Sequence, residues 1–228
     1  MRTIHPKYGF ISERKYILRE VIRLKDMKVD FSGKTELTNV KSAFIPNTRS
    51  QVYFLEFNDY YKDLPDLLYK SRNGRVYKDN AEKFSFFVES SLETLKKLFW
   101  VPDVIIFNDW QTSMLPLLLQ GRIKNDPWFK DIKTVFFLHS NSSYYNFPNT
   151  LFNNLGIEHN KRKGSQNLME IAINNADFTF VFDDLKDKKV KSLLKSNNHK
   201  IIGSIDNLKS SEKLDVFNSI SKEVSSLI

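Results

Sequence analysis

Three polar clusters in this 228-residue chain each follow a short apolar run. Asn108-Asp109-Trp110-Gln111 follows Val104-Ile-Ile-Phe107. His139-Ser140-Asn141 follows Thr134-Val-Phe-Phe-Leu138, and Asp183-Asp184 follows Phe178-Thr-Phe-Val-Phe182. Apolar runs of this length read as buried parallel strands. In an open parallel sheet, ligands bind outside the carboxyl ends of the strands. One rim would then carry carboxylates, an imidazole and an indole. Aspartate accepts bonds from hydroxyls, tryptophan stacks on a ring face, and histidine donates to a ligand oxygen or takes a proton. That is the chemistry of a polar-ligand site. A second reading, weighted equally, makes Asp109 a cap on the following helix and His139 a core histidine with its bonds satisfied.

Other chemistries are excluded or weakly supported. There are no cysteines, so disulfides, thiolate metal sites and cysteine nucleophiles are ruled out. His5, His139, His159 and His199 are scattered without ligand spacing, so no metal is expected. The seven glycines are isolated at 9, 33, 74, 121, 156, 164 and 203, so no phosphate loop or dinucleotide fingerprint can be written. There is no GxSxG elbow, and no cofactor is implied. The net charge of +8 favours anionic partners. The basic stretches Lys161-Arg-Lys163 and Lys186-Asp-Lys-Lys-Val-Lys191 nevertheless lack interleaved aromatics. They read as solvated surface rather than as a nucleic-acid contact. Tyr60-Tyr61 and Tyr144-Tyr145 lie in loops, where they can stack on sugars or simply pack on the surface.

The elements that must position these residues follow from periodicity. Residues 1 to about 80 are short segments broken by Pro, Gly and Asn, with Gln51–Phe57 as a strand. Asp79-Asn80 is an N-cap candidate. Phe84, Phe87, Val88, Leu92, Leu95 and Leu98 then recur at helical spacing. Beyond residue 100, strands alternate with helices. Helices are expected over Gln111–Arg122, with Pro116 as a kink or late start, over Asn167–Asn175 and over Asp184–Lys195. A fourth strand is expected over Lys200–Ile205. Leu214, Phe217, Ile220, Val224 and Leu227 mark a terminal amphipathic helix, and Ser140–Asn154 reads as a loop. The pattern predicts an α/β fold, a parallel sheet with helices on both faces, and the length allows one large domain or two small ones. With 41% hydrophobic residues and a mean hydropathy of −0.42, no run approaches bilayer length. The N-terminus has no apolar core of a signal peptide. A cytoplasmic, soluble chain without a membrane partner is the expectation.

The stretch Val101-Pro-Asp-Val-Ile-Ile-Phe-Asn-Asp-Trp-Gln-Thr-Ser-Met-Leu-Pro-Leu-Leu-Leu119 closely resembles the bacterial glycogen/starch synthases, the ADP-glucose glucosyltransferases of the GT-B fold. Their segment reads PDV-x₄-DWQT-x₂-LPL. Asp79-Asn80-Ala-Glu-Lys-Phe84 resembles the opening of their long helix, DNxERF. Lys133-Thr-Val-Phe-Phe-Leu-His139 resembles their KTVFTIHN strand. Lys7-Tyr-Gly-Phe-Ile11, Pro46-Asn47, Val52-Tyr-Phe54, Phe147-Pro148 and Ala176-Asp177 also fall at family positions. The resemblance covers residues 1–182 and leaves 183–228 as a divergent tail.

The resemblance implies a retaining transfer of glucose from ADP-glucose to the non-reducing end of an α-1,4-glucan, in a cleft between two Rossmann-like domains. By the resemblance this chain is the N-terminal half, a single Rossmann-like domain over 1–228 with a parallel sheet and helices on both faces. His139 and Asp109 match the catalytic positions. The first supports oxocarbenium-like charge through its backbone carbonyl, and the second binds sugar hydroxyls. Asn108, Trp110, Gln111, Ser140 and Tyr144 are the substrate-binding candidates, Trp110 and Gln111 as matches to the family motif. The family's Lys-Thr-Gly-Gly loop and first strand have no counterpart here. Ser140 stands for the family asparagine, Ser143 for its tyrosine and Tyr145 for its glycine. The donor-binding domain, with its basic pair for the diphosphate, is also without a counterpart. The expectation is therefore a glucosyltransferase domain that is incomplete or inactive alone, with a second chain as the possible source of the other domain. The alternatives are an inactive glucan-binding module or a truncated gene product.

Overall fold

The computed structural model describes every residue except 63–66, 163 and 183–186. Asp183-Asp184, Lys163 and Lys186 therefore lie outside the described residues. The chain forms two compact units, Met1–Trp100 with Asn153–Gly156, and Val101–Phe152 with Ile157–Ile228.

The first unit holds a mixed sheet. Strands β1 (Arg2–Pro6), β2 (Arg19–Glu20), β3 (Met27–Phe31), β4 (Lys34–Phe44) and β5 (Gln51–Glu56) run in the order β1-β5-β4-β2, with β3 also paired to β4. Only β1 and β5 are parallel; the other pairs are antiparallel. The sequence reading missed the β3–β4 hairpin. Its loop is Ser32-Gly33, since Phe31 pairs with Lys34. Both loop residues have positive φ, 51° and 76°, the backbone of a two-residue type I′ turn. β3 alternates buried and exposed residues, as a half-buried strand should. The short helices α1 (Glu13–Tyr16) and α2 (Asn58–Tyr61) precede the long α3 (Asn80–Lys97), which begins where the capping signal put it. α3 packs on β3 and β5, with Phe86 ringed by Phe31 and Phe57. Gly9 sits where a Cβ would come within 1.9 Å of the Lys62 carbonyl oxygen, so no other residue fits without backbone movement.

A closed ring of charges fastens the segment after β1. Lys7 Nζ lies 3.0 Å from Glu13 and 3.2 Å from Glu56. Lys41 Nζ lies 2.8 Å from Glu13 and 3.3 Å from Glu56. The bonds from Lys41 and Lys7 hold the Glu13 carboxyl below its ordinary pKa of 4.5.

The second unit is an all-parallel sheet. β6 (Val104–Asn108), β7 (Lys133–Leu138), β10 (Phe178–Val181) and β11 (His199–Ile201) run in the order β11-β10-β7-β6. The chain also adds β8 (Asn146–Pro148) and β9 (Ser165–Asn167), an antiparallel pair, and the helix α6 (Asn149–Asn154). These short elements replace much of the loop expected over Ser140–Asn154. The expected Gln111–Arg122 helix is two helices, α4 (Asp109–Thr112) and α5 (Leu115–Asn125), with Pro116 in the first turn of α5. There its missing N–H costs nothing. The helices α7 (Leu168–Asn175) and α8 (Lys188–Lys195) pack side by side, and α7 also meets α5. Asn167 accepts from the Met169 and Glu170 amides and so caps α7.

Right-handed crossovers between successive neighbouring strands put α5, α7 and α8 on one face. The fully buried Phe136 and Leu138 point there by strand alternation. The terminal helix α9 (Ser210–Ser225) covers the other, where Ile220 joins Val135, Phe178, Phe180 and Phe182, and Val216 and Val224 flank it. Its buried register is therefore Val216, Ile220, Val224. Leu214 and Phe217, expected on the apolar face, are 60% and 48% exposed. The fourth strand ends at Ile201 rather than Ile205, because Gly203 turns the chain at a positive φ of 77°. No helix among the described residues is long and apolar enough to cross a membrane.

The charge ring gives a pH prediction. A carboxyl whose folded pKa is depressed adds stability above its unfolded pKa, and loses it as pH falls through the folded value. Glu13→Gln should therefore lower urea stability at pH 7, with the gap to the unsubstituted protein closing below about pH 4. A gap of constant size across an equilibrium unfolding series from pH 7 to pH 3 would contradict this.

Candidate functional site

The rim of the second unit is built by register. Asn108 at the end of β6 pairs with Phe137, and Leu138 at the end of β7 pairs with Val181. Parallel strands in this register end together, so Asp109, His139 and Phe182, which follow β6, β7 and β10, lie at the same edge of the sheet. Phe182 continues the ladder, its amide donating to the Leu138 carbonyl at 2.8 Å.

Asp109 is the centre of this rim. It opens α4 with a left-handed backbone, φ 51°, which aspartate tolerates better than most residues. That turn sends its carboxylate across to the segment after β7. Oδ1 accepts from the His139 amide at 3.3 Å, the Ser140 amide at 3.1 Å and the Tyr145 hydroxyl at 2.5 Å. Oδ2 accepts from the Ser140 hydroxyl at 2.8 Å. A carboxylate offers about four lone-pair sites, two per oxygen. The three donors on Oδ1 crowd its share, while Oδ2 keeps room for one more.

His139 is oriented by two neighbours. Its Nε2 lies 3.2 Å from Asn108 Oδ1, an acceptor, so Nε2 carries the proton and Nδ1 is the acceptor in the neutral ring. Its face stacks on Phe182, with ring centroids 4.7 Å apart and planes 15° apart. Burial holds the imidazole below its ordinary pKa, against the opposing pull of Asp109. The ring is therefore neutral at pH 7.

The indole and phenols divide their tasks. Trp110 is 3% exposed, and its ring stacks on Tyr144 at 5.0 Å. Tyr144, half-buried, is the ring that reaches solvent. Gln111 is half-buried on α4. Asn141 donates to Asp187, whose other oxygen caps α8 through the Lys189 and Val190 amides. A 3₁₀ turn over Ser143–Tyr145 points the two adjacent tyrosines in different directions, Tyr144 onto Trp110 and Tyr145 inward.

All seven residues singled out from sequence thus sit on this rim, and Asp109, His139, Ser140 and Asn108 form one bonded group. Sequence reasoning missed Tyr145 and Phe182 as members. Tyr145 was read as one of a loop pair, and its full burial depends on the turn before it. Phe182 was read as strand core. Its place directly after β10 was the signal that could have marked it.

Comparison with known proteins gives a consistent answer. Residues 1–184 match the family model described as the starch synthase catalytic domain. The glycogen synthase of Pelodictyon phaeoclathratiforme is 41% identical over 139 residues, covering 61% of this chain and 28% of that protein. That of Chlorobium luteolum is 36% identical over 182 residues, covering 77% of this chain and 37% of that protein. This chain therefore spans about a third of the length of such relatives. Among solved structures, the catalytic domain of starch synthase IV from Arabidopsis thaliana, bound to ADP and acarbose, superimposes with a TM-score of 0.69. It is 16% identical, and the match covers 88% of this chain and 43% of that one. The likeness establishes the fold.

Asp109→Ala should remove four bonds, leave the buried Tyr145 hydroxyl unpaired and strain a left-handed alanine. A loss of about 3 kcal/mol in urea unfolding is expected. Asp109→Asn, which keeps an acceptor oxygen and tolerates the backbone, should lose about half as much. Equal losses would contradict this and show that the bonds depend wholly on the carboxylate's charge.

Proposed function

This chain belongs to the starch synthase catalytic-domain family, and from that premise we propose that it forms the glucan-side wall of a retaining glucosyltransferase. The reaction moves glucose from ADP-glucose to the non-reducing 4-hydroxyl of an α-1,4-glucan. The observation that carries the proposal is the bonded group of Asp109, His139, Ser140 and Asn108 at the carboxyl rim of the parallel sheet, in a chain with that family match.

Each side chain has a role in this reading. The neutral His139, held by Asn108 and Phe182, offers an oriented Nδ1 and a backbone carbonyl to the sugar, where positive charge develops at the reacting carbon. Asp109 shapes the segment that carries His139, and its Oδ2 takes one sugar hydroxyl. Tyr144, backed by Trp110, gives a ring for a sugar face. Gln111 and Ser140 line the rim. The basic groups that neutralise a departing diphosphate come from a second Rossmann-like domain, on a further segment or a partner chain. Catalysis needs both, because charge stabilisation works only where the donors are fixed beforehand.

One observation favours a second reading, a glucan-binding module without transfer. The Asp109 carboxylate is largely occupied by its own chain. A maltooligosaccharide then binds the rim without ADP-glucose being used.

Labelled ADP-glucose with glycogen as acceptor separates the readings. The purified chain should bind maltoheptaose by calorimetry and incorporate no label alone. Mixed with the C-terminal half of a related glycogen synthase, it should incorporate label, and His139→Ala should abolish at least nine-tenths of that signal. Binding without incorporation in the mixture selects the binding module. Absence of binding in both preparations overturns the glucan reading altogether.

A further inference from the structure

We propose that Tyr145 is a positioning residue for this rim, acting through Asp109 to fix the plane of its carboxylate so that one oxygen alone faces the ligand. The inference rests on the glucan-side reading above and names a residue that reading does not use. Tyr145 is fully buried, and its hydroxyl donates to Asp109 Oδ1 at 2.5 Å. Burial, together with the neighbouring carboxylate, holds the phenol far above its ordinary pKa, so it remains a donor at any working pH.

The bond decides the carboxylate's orientation. The two amides on Oδ1 come from His139 and Ser140, which follow β7, and the phenol comes from the 3₁₀ turn beyond them. With three donors on one oxygen, the carboxylate cannot rotate without breaking all of them. Oδ2, which among the described residues accepts only from the Ser140 hydroxyl, is left as the ligand-facing oxygen. A vicinal diol that would ordinarily bridge both oxygens is held through one. The position Oδ1 gives to Tyr145 is closed to ligand, because the phenol that fills it has no exposed surface.

The same bond reaches His139. A donor on a carboxylate draws charge away from it, and Asp109 is the charged group whose field acts on the imidazole. Removing the Tyr145 hydroxyl while keeping its ring should therefore strengthen that field and raise the His139 pKa. A residue that only fills space would leave that titration unmoved.

Tyr145→Phe in the full chain is the test, followed by NMR titration of the His139 ring protons, with Asp109→Asn as the reference for loss of the charge. The expected result is a His139 pKa raised by about half a unit in Tyr145→Phe and lowered in Asp109→Asn. Maltotriose should bind about fivefold more weakly to Tyr145→Phe, because the carboxylate, left with three of its four donors, is held less firmly. An unchanged His139 titration overturns the proposal, whatever the affinity does. Failure of the unsubstituted chain to bind maltotriose would count against the glucan reading alone, since the titration still decides the role of Tyr145. Should Tyr145→Phe not fold, the Tyr145 hydroxyl proton of the unsubstituted chain answers the same question. A downfield, slowly exchanging signal that moves upfield in Asp109→Asn, where the acceptor is neutral, supports the bond, and its absence from the unsubstituted chain overturns it.

Discussion

The rim of the second unit depends on one carboxylate accepting from four donors. Asp109 ties the end of β6 to the segment after β7, which β-sheet bonds alone leave unattached. Remove that carboxylate and the His139 amide, the Ser140 amide and hydroxyl, and the Tyr145 hydroxyl all lose their partner together. Bonds to an ionised acceptor are roughly twice as strong as neutral ones. A single aspartate therefore does much to hold residues 139–145, together with the Asn141–Asp187 bond and the Trp110–Tyr144 stack. The left-handed backbone at Asp109 is what aims the carboxylate, and its strain is offset by the bonds it makes possible.

The two readings of Asp109 weighed from sequence, ligand-facing residue or local cap, both assumed that a polar side chain does one thing. The structure has the carboxylate cap a neighbouring segment rather than its own helix, with one oxygen still open to the rim. His139 shows the same division. Its amide is part of the clasp, while its ring is oriented by Asn108 and Phe182. A sheet that is parallel and in register makes this economical, because neighbouring strands deliver their next residues to the same edge. The aromatic platform has a parallel logic. Trp110 is the larger ring and the buried one, and Tyr144, stacked on it, is the ring at the surface.

The departures from the sequence reading have identifiable physical causes. The β3–β4 hairpin was passed over because Lys34–Phe44 carries few apolar residues, although the Ser32-Gly33 turn and the alternation of Met27, Val29 and Phe31 were present. The terminal helix was expected with Leu214 and Phe217 inward. Ile220, Val224 and Leu227 do turn inward as expected, but tertiary packing puts Val216 beside them in place of Leu214 and Phe217, against the cluster that holds the phenylalanines of β10. Helical spacing alone allows either stripe. Ser140–Asn154 looked like loop from its Asn and Ser content. β8 exists there because β9, nearly twenty residues on, supplies its partner.

What the sequence by itself determined is local and periodic: four parallel strands, the start of the long helix at Asp79-Asn80, a helix break near Pro116, and the family whose motifs surround Asp109 and His139. Apolar runs and capping residues act over a few positions, so they are legible without the fold. What only the tertiary structure decided is which groups meet. The donors on Asp109 lie 30, 31 and 36 positions away along the chain. Their encounter depends on strand register and on a left-handed turn, and a one-residue slip in either would turn the same side chains elsewhere. Tyr145 is the clearest case. In sequence it is the second of two loop tyrosines, and only a 3₁₀ turn that sends its neighbour outward brings its hydroxyl onto the carboxylate.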